Sequence, residues 1–67
     1  MEQLYDTIFD SLSKEGYLET DGQGYWWIYE GKYNVIPQNT FKKFIGKKLV
    51  YAKRIDDETT CYYKQSK

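Results

Sequence analysis

The fold is decided by residues 25–37, which read Tyr-Trp-Trp-Ile-Tyr-Glu-Gly-Lys-Tyr-Asn-Val-Ile-Pro. The first five residues are aromatic or β-branched, a composition typical of a β-strand. The pair Glu30-Gly31 predicts a hairpin turn, after which residues 33–36 return as a second strand. Pro37 cannot continue a sheet but fits the first turn of a helix. The stretch therefore predicts a strand or hairpin followed by a helix.

Upstream of this stretch, residues 2–15 predict an amphipathic helix. Acidic residues occupy one side of it, and apolar residues recur at four-residue spacing on the other. These apolar residues are Leu4, Ile8 and Leu12. Gly16 is the expected end of the helix, because glycine accepts the left-handed conformation that follows a last turn. Residues 19–24 are expected to form a polar loop.

Downstream, the chain predicts a short basic helix and a C-terminal hairpin. Apolar residues at i, i+3 and i+4 mark the helix, and they are Phe41, Phe44 and Ile45. Gly46 ends it. Residues 49–55 and 59–64 predict two strands around an acidic turn. We therefore expect a single α+β domain spanning residues 1–67, with a helix, a strand or hairpin, a short helix and a β-hairpin in that order.

The core is expected where the two helices meet. Aromatic residues make up 19% of the chain and supply apolar area that a 67-residue domain needs. The expected core members are Phe41, Phe44 and Ile45 against Leu4, Ile8 and Leu12, closed by Trp26 or Trp27 and Val50.

Composition excludes several function classes. The chain has no histidine, so a Ser-His-Asp triad, a Cys-His pair and a His-containing zinc site are excluded. Cys61 is the single cysteine and cannot form an internal disulfide. An acidic N-terminal region and the lack of a long apolar run predict neither a targeting peptide nor a membrane span. We expect a cytoplasmic protein with no membrane partner.

Charge is divided along the chain although the net charge is zero. Residues 1–31 hold seven acids and one base, and residues 32–67 hold nine bases and three acids. From Lys32 to Ile55 there are seven bases and no acid. Such asymmetry favours a polyanion partner for the basic half. The alternative is that the two halves attract each other within one stable domain.

Catalytic and metal-binding patterns are weak. The acidic run at residues 56–58 offers oxygen ligands for a hard cation, but adjacent side chains at a hairpin tip diverge, which favours a solvated turn. Cys61 lacks a histidine to activate it and is expected to be an ordinary strand residue. We predict a protein that is not an enzyme and that needs neither a cofactor nor a metal ion.

Basic and aromatic residues interleave in the second half, a pattern typical of single-strand binding. Polar residues at the start of the short helix add groups that can reach phosphate or base edges. The alternative for the tyrosines is that they fill the core. The predicted nucleic-acid-binding residues are Lys42, Lys43, Lys47, Lys48, Tyr51, Lys53, Arg54, Tyr62, Tyr63 and Lys64.

The order of elements resembles a compact winged-helix domain over about residues 3–65. Residues 33–44, Tyr-Asn-Val-Ile-Pro-Gln-Asn-Thr-Phe-Lys-Lys-Phe, are similar to the strand-Pro-helix entry in C-terminal winged-helix modules of mobile-element primase-helicases. Size and aromatic content are similar to those of winged-helix single-stranded-DNA-binding proteins from replication operons of cassette-chromosome elements. The resemblance implies that the basic helix is a recognition helix and that the hairpin is a wing.

Function is then expected to be non-catalytic nucleic-acid binding in mobile-element or phage DNA replication, with single-stranded DNA favoured. A replication helicase or polymerase is a further candidate partner. The main alternative is a small phage or mobile-element protein that binds and inhibits a host protein. Its acidic helix face would mimic nucleic acid, through Glu2, Asp6 and Asp10. A structural subunit of a larger replication complex is a third interpretation.

Overall fold

The computed structural model describes residues 3–65. Two helices and five strands follow one another along the chain. In order they are α1 (Gln3–Leu12), β1 (Tyr17–Thr20), β2 (Tyr25–Tyr29), β3 (Lys32–Val35), α2 (Gln38–Gly46), β4 (Val50–Arg54) and β5 (Thr60–Lys64). The α+β class is confirmed, and the specific features of a winged helix are not.

The five strands form one antiparallel sheet in the order β3-β2-β1-β5-β4. Both helices pack on the same side of it, which we call the helix face. Leu18 of β1 belongs to the core cluster there, and Trp27 and Tyr62 pack against that cluster. The cluster itself consists of Ile8, Leu12, Leu18, Ile36, Phe41, Phe44 and Val50.

Most of the expected core is confirmed, but its edges are corrected. Leu4 and Ile45 were expected inside and are exposed. The buried side of α2 consists of Thr40, Phe41 and Phe44, which turns the helix so that Ile45 lies at the margin. Helix α2 buries residues 40, 41 and 44, whereas the apolar pattern predicts burial of residues 41, 44 and 45. The predicted buried side is therefore rotated about the helix axis relative to the observed one.

The start of α2 and the β2–β3 turn follow the sequence. Pro37 is the N-cap residue of α2, and its backbone is extended, with φ −65° and ψ 147°. Its carbonyl accepts a hydrogen bond from the Phe41 amide at 3.1 Å. Glu30 and Gly31 have φ values of 53° and 76°. Two consecutive positive φ angles produce the tight hairpin turn whose twist matches that of the strands.

The segment between α1 and β2 differs from the prediction. The first helix ends at Leu12 and not at residue 15, and Glu19 and Thr20 belong to strand β1 and not to a loop. This strand is the centre of the sheet, paired with β2 on one side and β5 on the other. One of its two partners, β5, lies about 40 positions away, so the central position of this four-residue strand could not be recognised from the local sequence.

Glycine is needed at position 16 because there is no space for a side chain, and not because the backbone is left-handed there. A Cβ atom at this position would lie 2.7 Å from the Ser11 Oγ and 2.9 Å from the Ser11 carbonyl oxygen. The Gly16 amide donates to that same carbonyl at 2.8 Å. The chain therefore leaves α1 in close contact with its last turn, which places β1 directly beneath the helix.

Ser11 joins α1 to β2. Its buried hydroxyl donates to the Ile8 carbonyl at 2.7 Å and accepts from the Trp27 Nε1 at 2.7 Å. Ser11→Ala leaves the indole N–H without this acceptor, so we expect a loss of about 1–3 kcal/mol in the free energy of unfolding. Urea denaturation followed by tryptophan fluorescence measures it.

The control for this prediction is Ser13→Ala. Ser13 is exposed and accepts only from the Lys64 Nζ at 3.1 Å among the hydrogen bonds of the described residues. The same change there is expected to alter stability by no more than about 0.5 kcal/mol. Equal effects of the two substitutions would show that the Trp27 contact adds nothing.

Candidate nucleic-acid interface

The sheet has a second face, on which no helix lies in residues 3–65. Because side chains alternate along a strand, every residue next to a helix-face residue points to this side, which we call the open face. The strand registers arrange the open face in two rows that run across all five strands. From β4 to β3, the first row is Tyr51, Tyr63, Tyr17, Ile28 and Tyr33, and the second row is Lys53, Cys61, Glu19, Trp26 and Val35.

The first row, the tyrosine row, has three adjacent rings, those of Tyr51, Tyr63 and Tyr17, and then Ile28 separates Tyr17 from Tyr33. The ring centroids of Tyr51 and Tyr63 are 5.9 Å apart, and those of Tyr63 and Tyr17 are 5.3 Å apart. The rings are tilted by 39° and 32° to one another, so they lie side by side and not stacked face to face. Tyr51 is 45% exposed and Tyr33 is 63% exposed. The outer rings thus offer their surfaces to a ligand.

Two residues of the open face itself are buried, one in each row. Ile28 is 4% exposed and Cys61 is 5% exposed, yet neither belongs to the core cluster on the helix face. The Cys61 Sγ lies 3.9 Å from a carboxylate oxygen of Glu19, to which it donates. Burial raises the pKa of the Cys61 thiol, so it stays protonated near neutral pH. The tyrosines therefore form a second, thinner apolar layer.

Burial also affects the hydroxyls of the tyrosine row. It is the main cause that raises the pKa of Tyr17 and of Tyr63, and the neighbouring Tyr33 raises that of Tyr17 further. Phenols with a raised pKa remain neutral at physiological pH and keep their proton for donation. The strip can stack through its rings and donate hydrogen bonds through its edges, without adding negative charge.

The predicted binding residues fall on two different surfaces. Tyr51, Lys53 and Tyr63 share the open face, and Tyr51 stands directly opposite Tyr63 in the β4–β5 ladder. Tyr62 lies on the helix face, where its ring meets that of Phe41 edge-on at 5.0 Å. The other predicted residues lie along α2, at its end or on the β4–β5 hairpin: Lys42, Lys43, Lys47, Lys48, Arg54 and Lys64.

Several of these cations contact the protein itself. Lys43 and Lys47 place their ammonium groups 5.8 and 5.1 Å from the centroid of the Tyr5 ring. Arg54 donates to the Asp56 carbonyl at 3.1 Å and supports the acidic turn. Lys64 donates to the Ser13 hydroxyl at 3.1 Å. All four side chains remain exposed, and their charge remains available to a polyanion.

In the acidic turn, an aspartate side chain accepts hydrogen bonds from the backbone amides of the turn. Asp56 Oδ1 accepts from the amides of Glu58 and Thr59 at 2.9 and 2.8 Å. These backbone hydrogen bonds lower the pKa of the Asp56 carboxyl. Among residues 3–65, no group of three or more acidic or cysteine side chains is placed to hold a metal ion.

A groove of about 380 Å³ lies on the helix side, next to α2. Its walls are mostly apolar, and Lys42 provides one cation at the rim. The residues that line it are Tyr25, Phe41, Lys42, Ile45, Gly46 and Tyr62. Two of the predicted binding residues, Lys42 and Tyr62, therefore meet in a second concave surface, separate from the open face.

Charge follows the position of a strand in the sheet. Both edge strands, β3 and β4, and the helix between them come from the acid-free segment that begins at Lys32. The acids Glu19, Asp21 and Glu30 belong to the central strands β1 and β2 or the turns next to them. The sheet is thus basic at its two edges and acidic near its centre.

Sequence reasoning missed Tyr17 and Tyr33 as members of this surface. A signal for Tyr33 existed, because Tyr33 and Val35 alternate with the polar Lys32 and Asn34 over residues 32–35. No comparable signal existed for Tyr17, whose aromatic neighbour Tyr63 lies on β5, the last strand of the sheet along the chain.

Comparisons with known proteins add no relative. In the described part of the chain, neither helix is long and apolar enough to cross a membrane. No protein-family model, no curated protein and no solved structure matches the chain.

Proposed function

We propose that this protein is a non-catalytic nucleic-acid-binding domain that prefers single-stranded DNA. The observation that carries the proposal is the tyrosine row on an open sheet face. Unpaired bases stack on aromatic rings, and each such contact contributes about 1–3 kcal/mol. Duplex DNA hides its base faces, so stacking favours single strands.

Basic residues at the sheet edges complement this strip. Lys53 shares the open face with the tyrosines, and Arg54 follows it on the same edge strand. At the opposite edge, Lys32 precedes Tyr33. Only Lys53 stands beside the rings, because Lys32 and Arg54 alternate with open-face residues and point to the helix side of the edge strands. Their long side chains can still reach phosphates at the rim of the sheet while the rings stack on bases, as in single-strand binding.

Salt dependence tests the electrostatic part. Each phosphate contact on a single strand lowers log K by about 0.7 per unit of log salt concentration. Contacts from Lys32, Lys53 and Arg54 alone predict a slope of about −2, because three contacts contribute. Fluorescence polarisation of labelled oligonucleotides, single-stranded and duplex, over a series of salt concentrations measures it.

The same titration has two outcomes that would contradict the proposal. A slope near zero with affinity retained would exclude phosphate contacts, and duplex binding as tight as single-strand binding would exclude stacking. A slope of about −4, the value for six contacts, would mean that the lysines of α2 also bind phosphates. In that case Lys42→Glu combined with Lys43→Glu should weaken binding to every sequence about equally.

A winged-helix-like mode is the second candidate for the same function. In it, α2 is the recognition helix, the β4–β5 hairpin is the wing, and the strand lies along the helix side. The groove between Lys42 and Tyr62 favours this mode, since it offers an apolar slot beside a cation. A role in mobile-element or phage DNA replication, beside a helicase or polymerase, belongs to this proposal through the resemblance of residues 33–44.

Inhibition of a host protein is the alternative function. Its acidic helix face rests on Asp6, Asp10 and Glu2, the last of which lies outside the described residues. Asp6 is exposed on α1, but Asp10 forms an ion pair with Lys14 at 3.1 Å, which offsets part of the negative charge. The open face therefore supports nucleic-acid binding better than the helix supports mimicry.

A further inference from the structure

We propose that the single strand crosses the sheet from edge to edge along the tyrosine row, and that Tyr33 on β3 is a base-stacking residue. This inference rests on the proposed function and extends it to a path and a new residue. Tyr33 lies at the opposite edge of the sheet from the binding residues Tyr51 and Lys53.

The tyrosine row fixes the direction of the path. Its members are cross-strand neighbours through four consecutive pairings, from Tyr51 on β4 to Tyr33 on β3. Four strand spacings of about 4.8 Å give a length of about 19 Å. At about 3.4 Å per stacked nucleotide, this strip accommodates no more than about six nucleotides.

Charge favours contacts between the protein and the phosphates at the two ends of the path. Lys32 and Lys53 lie at the two edges, in strands drawn from the acid-free segment. Near the centre, Glu19 occupies the second row and Glu30 follows β2. Every nucleotide carries a phosphate, so the bases of the central nucleotides lie over Tyr63 and Tyr17 while their phosphates point to solvent, away from Glu19. The phosphates at the two ends of the path lie within reach of Lys32 and Lys53.

Exposure distinguishes Tyr33 from a tyrosine that serves the fold. Its side chain is 63% exposed, and Val35 beside it on the open face is 78% exposed. Strand β3 is exposed at every position, so its pairing with β2 and not its side-chain burial holds it in place. The Tyr33 ring is therefore accessible to a ligand, and its replacement should change the stability of the fold little.

The test is Tyr33→Leu in the full chain, titrated with oligothymidylates of 3 to 12 nucleotides. Wild-type affinity should rise with length up to about six nucleotides. Tyr33→Leu should weaken binding of the six-nucleotide probe by about five- to 150-fold, the factor for one lost stacking contact. Tyr33→Phe keeps the ring and should bind like wild type. Tyr29→Leu, in the same hairpin but on the helix face, is the control.

Each outcome decides the inference. If Tyr51→Leu weakens single-strand binding and Tyr33→Leu does not, the path is wrong while the proposed function stands. If the wild-type protein binds no oligothymidylate, the function and the path both fail. A wild-type dimer in sedimentation, converted to monomer by Tyr33→Leu, would show that the open face joins two copies of the chain and would overturn the path.

Discussion

Phe44→Ala is expected to leave the domain largely unfolded at room temperature. Phe44 is fully buried, and its ring stacks on Tyr5 with centroids 4.5 Å apart and planes 14° from parallel. Removing a buried phenylalanine ring costs about 3–5 kcal/mol, because the contacts are lost and a cavity remains. A domain of this size has a total stability of only about 5 kcal/mol, so the loss consumes most of it.

Circular dichroism and thermal denaturation measure this effect. Ile45→Ala is the matched control, since Ile45 follows Phe44 on the same helix but is exposed. It should shift the melting temperature far less. Phe44→Leu keeps most of the volume and should give an intermediate loss. A cooperative melt of Phe44→Ala within a few degrees of wild type would show that the ring does not hold α2 to the sheet.

The same helix shows what the sequence could predict. The break between Ile36 and Gln38, the end at Gly46 and the burial of Phe41 and Phe44 all follow from local chemistry, and the structure confirms them. Proline, glycine and an apolar stripe act over a few residues, so their effects can be read without the rest of the fold.

Which tyrosines lie on the same face of the sheet could not be predicted in the same way. Adjacent strand residues point to opposite faces, so at most one of Tyr62 and Tyr63 can share a face with Tyr51, but the sequence does not say which one. Which face carries the helices depends on the pairing of β5 with β1, across more than 40 residues. A shift of one residue in that register would exchange Tyr62 and Tyr63 between the core and the open face. Only the assembled sheet decides between them.

The strongest test of the proposed function uses the two adjacent tyrosines of the open face, Tyr51 on β4 and Tyr63 on β5. The double variant Tyr51→Leu with Tyr63→Leu removes two adjacent rings from the open face while keeping apolar bulk over Cys61. Two lost stacking contacts of at least about 1 kcal/mol each should weaken single-strand binding by about thirtyfold or more. Duplex binding, which uses phosphates, should change little. Fluorescence polarisation with matched single-stranded and duplex probes measures both.

Two comparisons identify the ring and the face. Tyr51→Phe with Tyr63→Phe should retain binding, because stacking needs the aromatic plane and not the hydroxyl. Tyr62→Leu removes a ring from the helix face, and the protein that remains folded in a thermal melt should bind single strands like wild type. If Tyr62→Leu weakens binding and the open-face double variant does not, the strand lies in the groove beside Lys42, and the winged-helix-like mode replaces the open face.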